Sequence, residues 1–223
     1  NTTPSPAAVA GTTIQSFLRP DAQNRIAFVA DRGNVGFHQV FSKTGSVSDP
    51  FMISGGGDGS AVPGSLTRVP GSSRVLYKGN LTHLWTTDLY SASMDLAGTQ
   101  VRISQPSHLF AEIHQFAVTP NGARVVYSGD LEQSGQTDLY SAEVAAAGTQ
   151  VRLFARDSSQ TLYRWALSPD GSRVIYTLLT SSPLAFDVHG VAANGSMAAE
   201  KIADFTGLGV ANSTQVGFTP SNI

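Results

Sequence analysis

An all-β fold built from four-stranded antiparallel sheets repeated about an axis, a β-propeller, is what this sequence predicts. Three observations predict it. Prolines recur at Pro20, Pro70, Pro120, Pro169 and Pro220, spaced by 49 to 51 residues. After the first four come Arg25-Ile-Ala-Phe28, Arg74-Val-Leu-Tyr77, Arg124-Val-Val-Tyr127 and Arg173-Val-Ile-Tyr176. Between the second and third copies the likeness becomes identity, with Thr87–Ala92 repeated as Thr137–Ala142 and Ala97–Arg102 as Ala147–Arg152. A fixed period of this length signals units that bury their apolar faces by stacking on one another.

Each copy divides into four strands. The first runs into the proline turn, as in Phe116-Ala-Val118 and Trp165-Ala-Leu167. Pro120-Asn-Gly122 and Pro169-Asp-Gly171 then supply a preset φ followed by a residue free to take positive φ. The Arg-Val-x-Tyr run is the second strand, rich in β-branched and aromatic residues. Asp88-Leu-Tyr90 and Asp138-Leu-Tyr140 open the third, and Val101-Arg-Ile103 and Val151-Arg-Leu153 are the fourth. In the outer copies Gln39-Val-Phe41 and Asp187-Val-His189 hold the third-strand place. The expected blades cover about 13–54, 62–104, 112–155 and 161–205. Residues 1–12 are a lead-in or linker, and Gln215-Val-Gly-Phe-Thr-Pro220 restarts the motif as a partial blade over 210–223.

Composition narrows the function classes. A net charge of −2 offers no basic field for a phosphate backbone, so nucleic acid is not an expected partner. There is no cysteine, hence no disulfide framework and no thiolate nucleophile or ligand. Only 13% of residues are charged, about half the usual globular share, which is commoner in exported chains. No apolar run reaches the roughly 18 residues of a membrane span. No G-x-S-x-G elbow is present.

The turns Ser168-Pro-Asp-Gly171 and Thr119-Pro-Asn-Gly122, each followed by Arg-Val-x-Tyr and then Asp-Leu-Tyr, resemble TolB-type propeller repeats. Ala30-Asp-Arg-Gly33 before Gln39-Val-Phe41 is similar to that family's connection between second and third strands. The resemblance covers about residues 13–223 and implies a periplasmic or secreted bacterial binding propeller. Similar repeats also form the gating propeller of prolyl-oligopeptidase-type peptidases. Four blades and one strand leave three readings open: a fragment of a larger propeller, a homodimer completing the ring, or an unusual four-bladed ring.

Propeller topology puts the connections from second to third strand, and from fourth strand to the next blade, on one face. Asp31 and Arg32, Gly55–Pro63, His83 and Trp85, His108 to His114, Asp130 and Glu132, Asp157 to Thr161, and Leu179 to Pro183 are expected there. Trp85 faces Gly135 in the next repeat, so the blade does not require an aromatic at that place. It reads either as an anchor for a protein or a sugar, or as a ring folded over its own hairpin. His108, Glu112 and His114 form an H-x3-E-x-H run, whose plainer reading is a hydrogen-bonded loop edge rather than a zinc set. Gln115 and Arg164 lie five residues before their prolines, as polar lining of the channel mouth or as ordinary rim. Asp88, Asp138 and Asp187 recur in successive copies, which argues for a structural cap over a catalytic set. The expectation is a noncatalytic propeller, with neither metal nor cofactor, meeting a protein or carbohydrate of the cell envelope. Its candidate contacts are His83, Trp85, His108, Glu112, His114, Gln115, Asp130 and Arg164. The alternative is an accessory propeller of a larger enzyme.

Overall fold

A computed structural model describes residues 13–31, 37–45, 49–55, 59–155, 159–181 and 184–206. Every regular element among them is a strand. The first sheet holds β1 (Thr13–Phe17), β2 (Arg25–Asp31), β3 (His38–Thr44) and β4 (Phe51–Met52). The second holds β5 (Thr67–Arg68), β6 (Arg74–Gly79), β7 (Asp88–Ser93) and β8 (Val101–Arg102). The third holds β9 (Ile113–Val118), β10 (Arg124–Gly129), β11 (Asp138–Glu143) and β12 (Val151–Phe154), and the fourth holds β13 (Gln160–Leu167), β14 (Arg173–Ser181), β15 (Leu184–Ala192) and β16 (Glu200–Thr206). Strands pair with their sequence neighbours in antiparallel order, giving four four-stranded sheets as the repeat predicts. The expected partial blade at 210–223, and Arg32, Asp157 and Pro183, lie outside the described residues.

Successive residues of a strand face opposite sides, and here both sides are buried. Val75 and Tyr77 of β6 pack with Ala27, Val29 and Val40 of the first sheet, whereas Leu76 between them packs with Val125, Tyr127 and Tyr140 of the third. The next interface repeats the scheme, with Val126, Leu139 and Leu153 against Val174, Tyr176 and Val191. This two-sided burial explains why the second strands read as unbroken apolar runs and not as alternation. Tyr77 and Tyr90 are cross-strand partners and stack at 5.7 Å between centroids, as do Tyr127 and Tyr140; Phe28 and Phe41 do so at 5.6 Å.

The recurrent charged positions are structural. Arg74 donates to the Ser91 hydroxyl and to the Thr99 carbonyl, and Arg124 to the Ser141 hydroxyl. Asp88, fully buried, accepts from Arg102 and from the Ser104 hydroxyl. Asp138 pairs with Arg152 at 2.5 Å, and Asp187 with Lys201 at 2.9 Å. Each pair ties the start or middle of a third strand to its fourth.

Candidate functional site

Two neighbouring connections carry the exposed chemistry: residues 80–87 between β6 and β7, and residues 103–112 between β8 and β9. Asn80 fixes the first. Its amide oxygen accepts the Ser60 N–H at 2.6 Å, and its amide nitrogen donates to the Leu84 carbonyl at 3.0 Å. The Thr86 N–H closes the tip onto the His83 carbonyl. A parallel bridge between Thr87 and Glu112 then joins this connection to the next, through Thr87 N–H to the Ala111 carbonyl and Ile113 N–H to the Thr87 carbonyl.

Asp130 organises the second connection. One carboxylate oxygen accepts the Glu112 N–H at 2.6 Å and the other accepts the Gly135 N–H at 3.1 Å. Asp31 and Asn80 stand at the same place in their repeats, six residues after the second-strand arginine. They accept N–H groups of Thr13 and Ser60 in the same way. The position is a recurring buckle between the second strand and the first. Asp130 is therefore buried and engaged with backbone, not offered to a ligand.

His108 is engaged too. Its Nδ1 lies 2.5 Å from the Leu109 carbonyl and its Nε2 2.5 Å from the Asp130 carbonyl. Two carbonyl acceptors suit a ring that carries protons on both nitrogens. The Asp130 carbonyl contact raises the His108 pKa above its ordinary value, burial opposes this, and the Leu109 carbonyl reinforces it. With both nitrogens so placed, His108 is not free to join Glu112 and His114 as a ligand set. Glu112, His114 and Gln115 are exposed, and Lys78 Nζ donates to the Ile113 carbonyl beside them at 3.0 Å. Arg164, also exposed, lies on β13 in the fourth sheet with its guanidinium 5.4 Å from the Tyr163 ring centroid. The structure thus brings His83, Trp85, His108 and Glu112 to one loop pair, bonds Asp130 to it from the connection between β10 and β11, and leaves His114 and Gln115 on β9 and Arg164 on another sheet.

Four large apolar side chains at this loop pair are more than half exposed. Leu84 is 55% exposed, Trp85 69%, Leu109 57% and Phe110 63%. Trp85 does not fold over its own hairpin. Its ring meets Phe110 of the next connection, at 6.3 Å between centroids and 44° between planes. Phe110 is held at a φ of 69°, a conformation that side-chain-bearing residues adopt at a cost of roughly 1–2 kcal/mol. Comparison of the repeats singles out Trp85 first. Its neighbours are legible by the same comparison, because Leu84 faces Ser134 fifty residues on, and Leu109 and Phe110 face Gly59 and Ser60 fifty residues back.

No known family matches this sequence, and neither does any curated protein. Among solved structures the chain is similar to one from a structural and mechanistic analysis of two prolyl endopeptidases, at 15% identity and a TM-score of 0.54, covering 88% of this chain and 30% of that one. The fold is a β-propeller. Similarity extends to the structure of a putative TolB from Agrobacterium tumefaciens (16% identity, TM-score 0.43, 82% of this chain and 62% of that one). It extends also to TolB from Acinetobacter baumannii (17% identity, TM-score 0.46, 85% and 44%). The chain spans less than two thirds of the length of each of the three. Among the described residues no helix is long and apolar enough to cross a membrane.

Proposed function

We propose that this chain is a noncatalytic binding or scaffold propeller, acting in the periplasm or outside a bacterial cell, that engages a protein or a glycan of the envelope through the loop pair 80–87 and 103–112. The supporting observation is the cluster of Leu84, Trp85, Leu109 and Phe110, each more than half exposed on loops that are otherwise knitted together by backbone hydrogen bonds. Rigid sheets that hold variable loops are the usual way in which propellers carry function. The four side chains together expose roughly 400–500 Å² of apolar surface, with Trp85 and Phe110 in contact, comparable to the largest apolar patch on a typical soluble monomer. The test is affinity capture from an envelope extract, together with an oligosaccharide array, comparing the native chain with Trp85→Ala. Loss of the captured partner in the variant supports the reading; full retention on both platforms removes this face from it.

A second reading is favoured by one observation, the likeness to a prolyl endopeptidase of which this chain spans 30%. On this reading the propeller is the accessory, gating part of a larger enzyme. Sequencing the parent gene decides between them, since an α/β-hydrolase region encoded in frame with this chain supports gating and its absence supports the binding module.

A further inference from the structure

The face that the fourth sheet turns away from the third is built like an interior one. Each sheet meets its successor through one apolar residue from its second strand, one from its third and one at its fourth. In the second sheet these are Leu76, Leu89 and Ile103, and in the third Val126, Leu139 and Leu153, every one buried against the sheet that follows. At the same places in the fourth repeat stand Ile175, Val188 and Ile202. The set is equally apolar, but Ile175 and Val188 are only part-buried and Ile202 is 55% exposed. Ile175 and Ile202 converge over Gly190, where an added Cβ would lie 3.3 and 2.9 Å from their Cδ1 atoms. Longer strands extend the same face, since Leu179 pairs with Phe186 and Phe186 with Phe205, itself 44% exposed.

A repeat that ends a stack carries a polar outer face. This one does not, and we infer that it is an interface whose occupant is a further sheet of the same repeat, carried by this polypeptide beyond residue 223. The chain joins such faces at each earlier junction, and the receiving side is constant: a valine and a tyrosine two residues apart on the second strand, as in Val125 and Tyr127 or Val174 and Tyr176. Gln215-Val-Gly-Phe-Thr-Pro220 opens the repeat once more, but that valine–tyrosine strand follows the proline, and only three residues follow Pro220. A second copy is a poor occupant, because its own face of this kind, Ile26, Phe28 and Phe41 of the first sheet, is buried to 3% exposure or less. The fourth junction departs from the others in one respect. Gly190 stands where the Ser42 and Ser91 hydroxyls donate to the Met94 and Val144 carbonyls of the next sheet, so apolar contact alone holds it.

The test joins the parent gene to a thiol probe. Arg74, Arg124 and Arg173 each lie four residues after their proline, which in the next copy is the position directly after Ile223. The reading frame should run on with an arginine there, followed by a valine or isoleucine two residues before an aromatic. The chain has no cysteine, so one introduced thiol reports on one place. In the full polypeptide Ile202→Cys should react with a maleimide at least about tenfold more slowly than Leu96→Cys, as a thiol reached only by local opening does. In the 223-residue chain the two should react alike, since Ile202 is 55% and Leu96 63% exposed. Phe205→Cys repeats the measurement should Ile202→Cys melt early. A frame that stops at Ile223, or equal labelling of the two thiols in the full polypeptide, overturns the inference. So does protection by a continuation that lacks the valine–aromatic run. Protection of Ile202→Cys in the 223-residue chain that grows with concentration overturns it in favour of a second copy. The loop pair 80–87 and 103–112 lies outside this face, so each of these outcomes leaves its own test standing.

Discussion

Tyr176 and His189 are cross-strand partners in the fourth sheet, stacked 5.3 Å apart with only 12° between their planes. The other three sheets place two aromatic carbocycles at this position. His189 Nε2 is buried without a hydrogen-bond partner, and burial lowers the pKa of the ring below 6.5, with Asp187 opposing and Lys201 reinforcing the shift. A lowered folded-state value means that the unfolded chain binds the proton more readily. The fourth sheet therefore keeps this contribution above pH 6.5 and loses it as the pH falls from 6.5 through the lower folded value. His189→Tyr restores the ring found at Tyr90 and Tyr140. Thermal melts between pH 7 and pH 5 should fall steeply for the native chain and less so for His189→Tyr; parallel curves would show that His189 is not the group responsible.

His108 should titrate with the opposite sign. The Asp130 carbonyl raises its pKa above 6.5, so its contribution is complete below 6.5 and disappears as the pH climbs through the raised folded value. Proton NMR of the two imidazoles offers a direct check, with the His108 midpoint above 6.5 and the His189 midpoint below it. In His108→Gln the 103–112 connection should lose its pH dependence, seen as Trp85 fluorescence that no longer changes from pH 6 to pH 8. A His108 midpoint below 6.5 would mean that the two carbonyl contacts do not exist in solution.

The proline period has a contact beneath it. A Cβ at Gly122 would lie 2.2 Å from the Pro70 carbonyl oxygen, and one at Gly171 would lie 2.5 Å from Pro120 Cδ. These two turn glycines thus nest on the prolines of the sheets before them, whereas Gly71 in the second sheet's turn has nothing within 4 Å. Gly98 also has positive φ but nothing within 4 Å of its virtual Cβ. Gly98→Ala should cost about 1 kcal/mol for backbone alone, whereas Gly122→Ala and Gly171→Ala should cost roughly 3 kcal/mol or more, adding a clash between sheets. Urea denaturation of the three variants measures the difference, and equal costs would remove the contact from the explanation.

That contact also shows why the fold is legible from the chain. Prolines fifty residues apart meet the turn of the following copy, and Tyr77 and Tyr127 find Tyr90 and Tyr140 because the spacing within each repeat is constant. The candidate site is only half legible. Asp130 and His108 have polar side chains in a loop, which reads as availability for a ligand. Their oxygens and nitrogens are instead taken up by carbonyls and N–H groups whose positions depend on how two connections cross. Sequence records the donors and acceptors of a side chain but not the backbone that turns to meet them. Trp85 and Phe110 each stand out against the small residues Gly135 and Ser60 at their places in other repeats, but that their rings meet does not, since they lie in different connections.

Asp88 provides the sharpest test of whether the recurrent carboxylates hold the sheets together or do chemistry. It is fully buried, and it takes hydrogen bonds from Arg102 at 3.0 Å and from the Ser104 hydroxyl at 2.7 Å, while Ser104 also accepts the Leu89 N–H. Removing the carboxylate leaves the Arg102 guanidinium part-buried without its counter-charge and frees the hydroxyl that fixes the strand. Breaking a buried pair from one side costs about 3–5 kcal/mol, which in a chain of this size lowers Tm by on the order of 10 °C. Asp88→Asn, which keeps the shape and loses the charge, should cost less. Arg102→Ala added to Asp88→Ala should cost little more than Asp88→Ala alone, because the two side chains act as a unit. Differential scanning calorimetry of the three single variants and the double variant reads all of this. An Asp88→Ala chain that melts with the native one would show that the recurrent aspartates do not hold the sheets together.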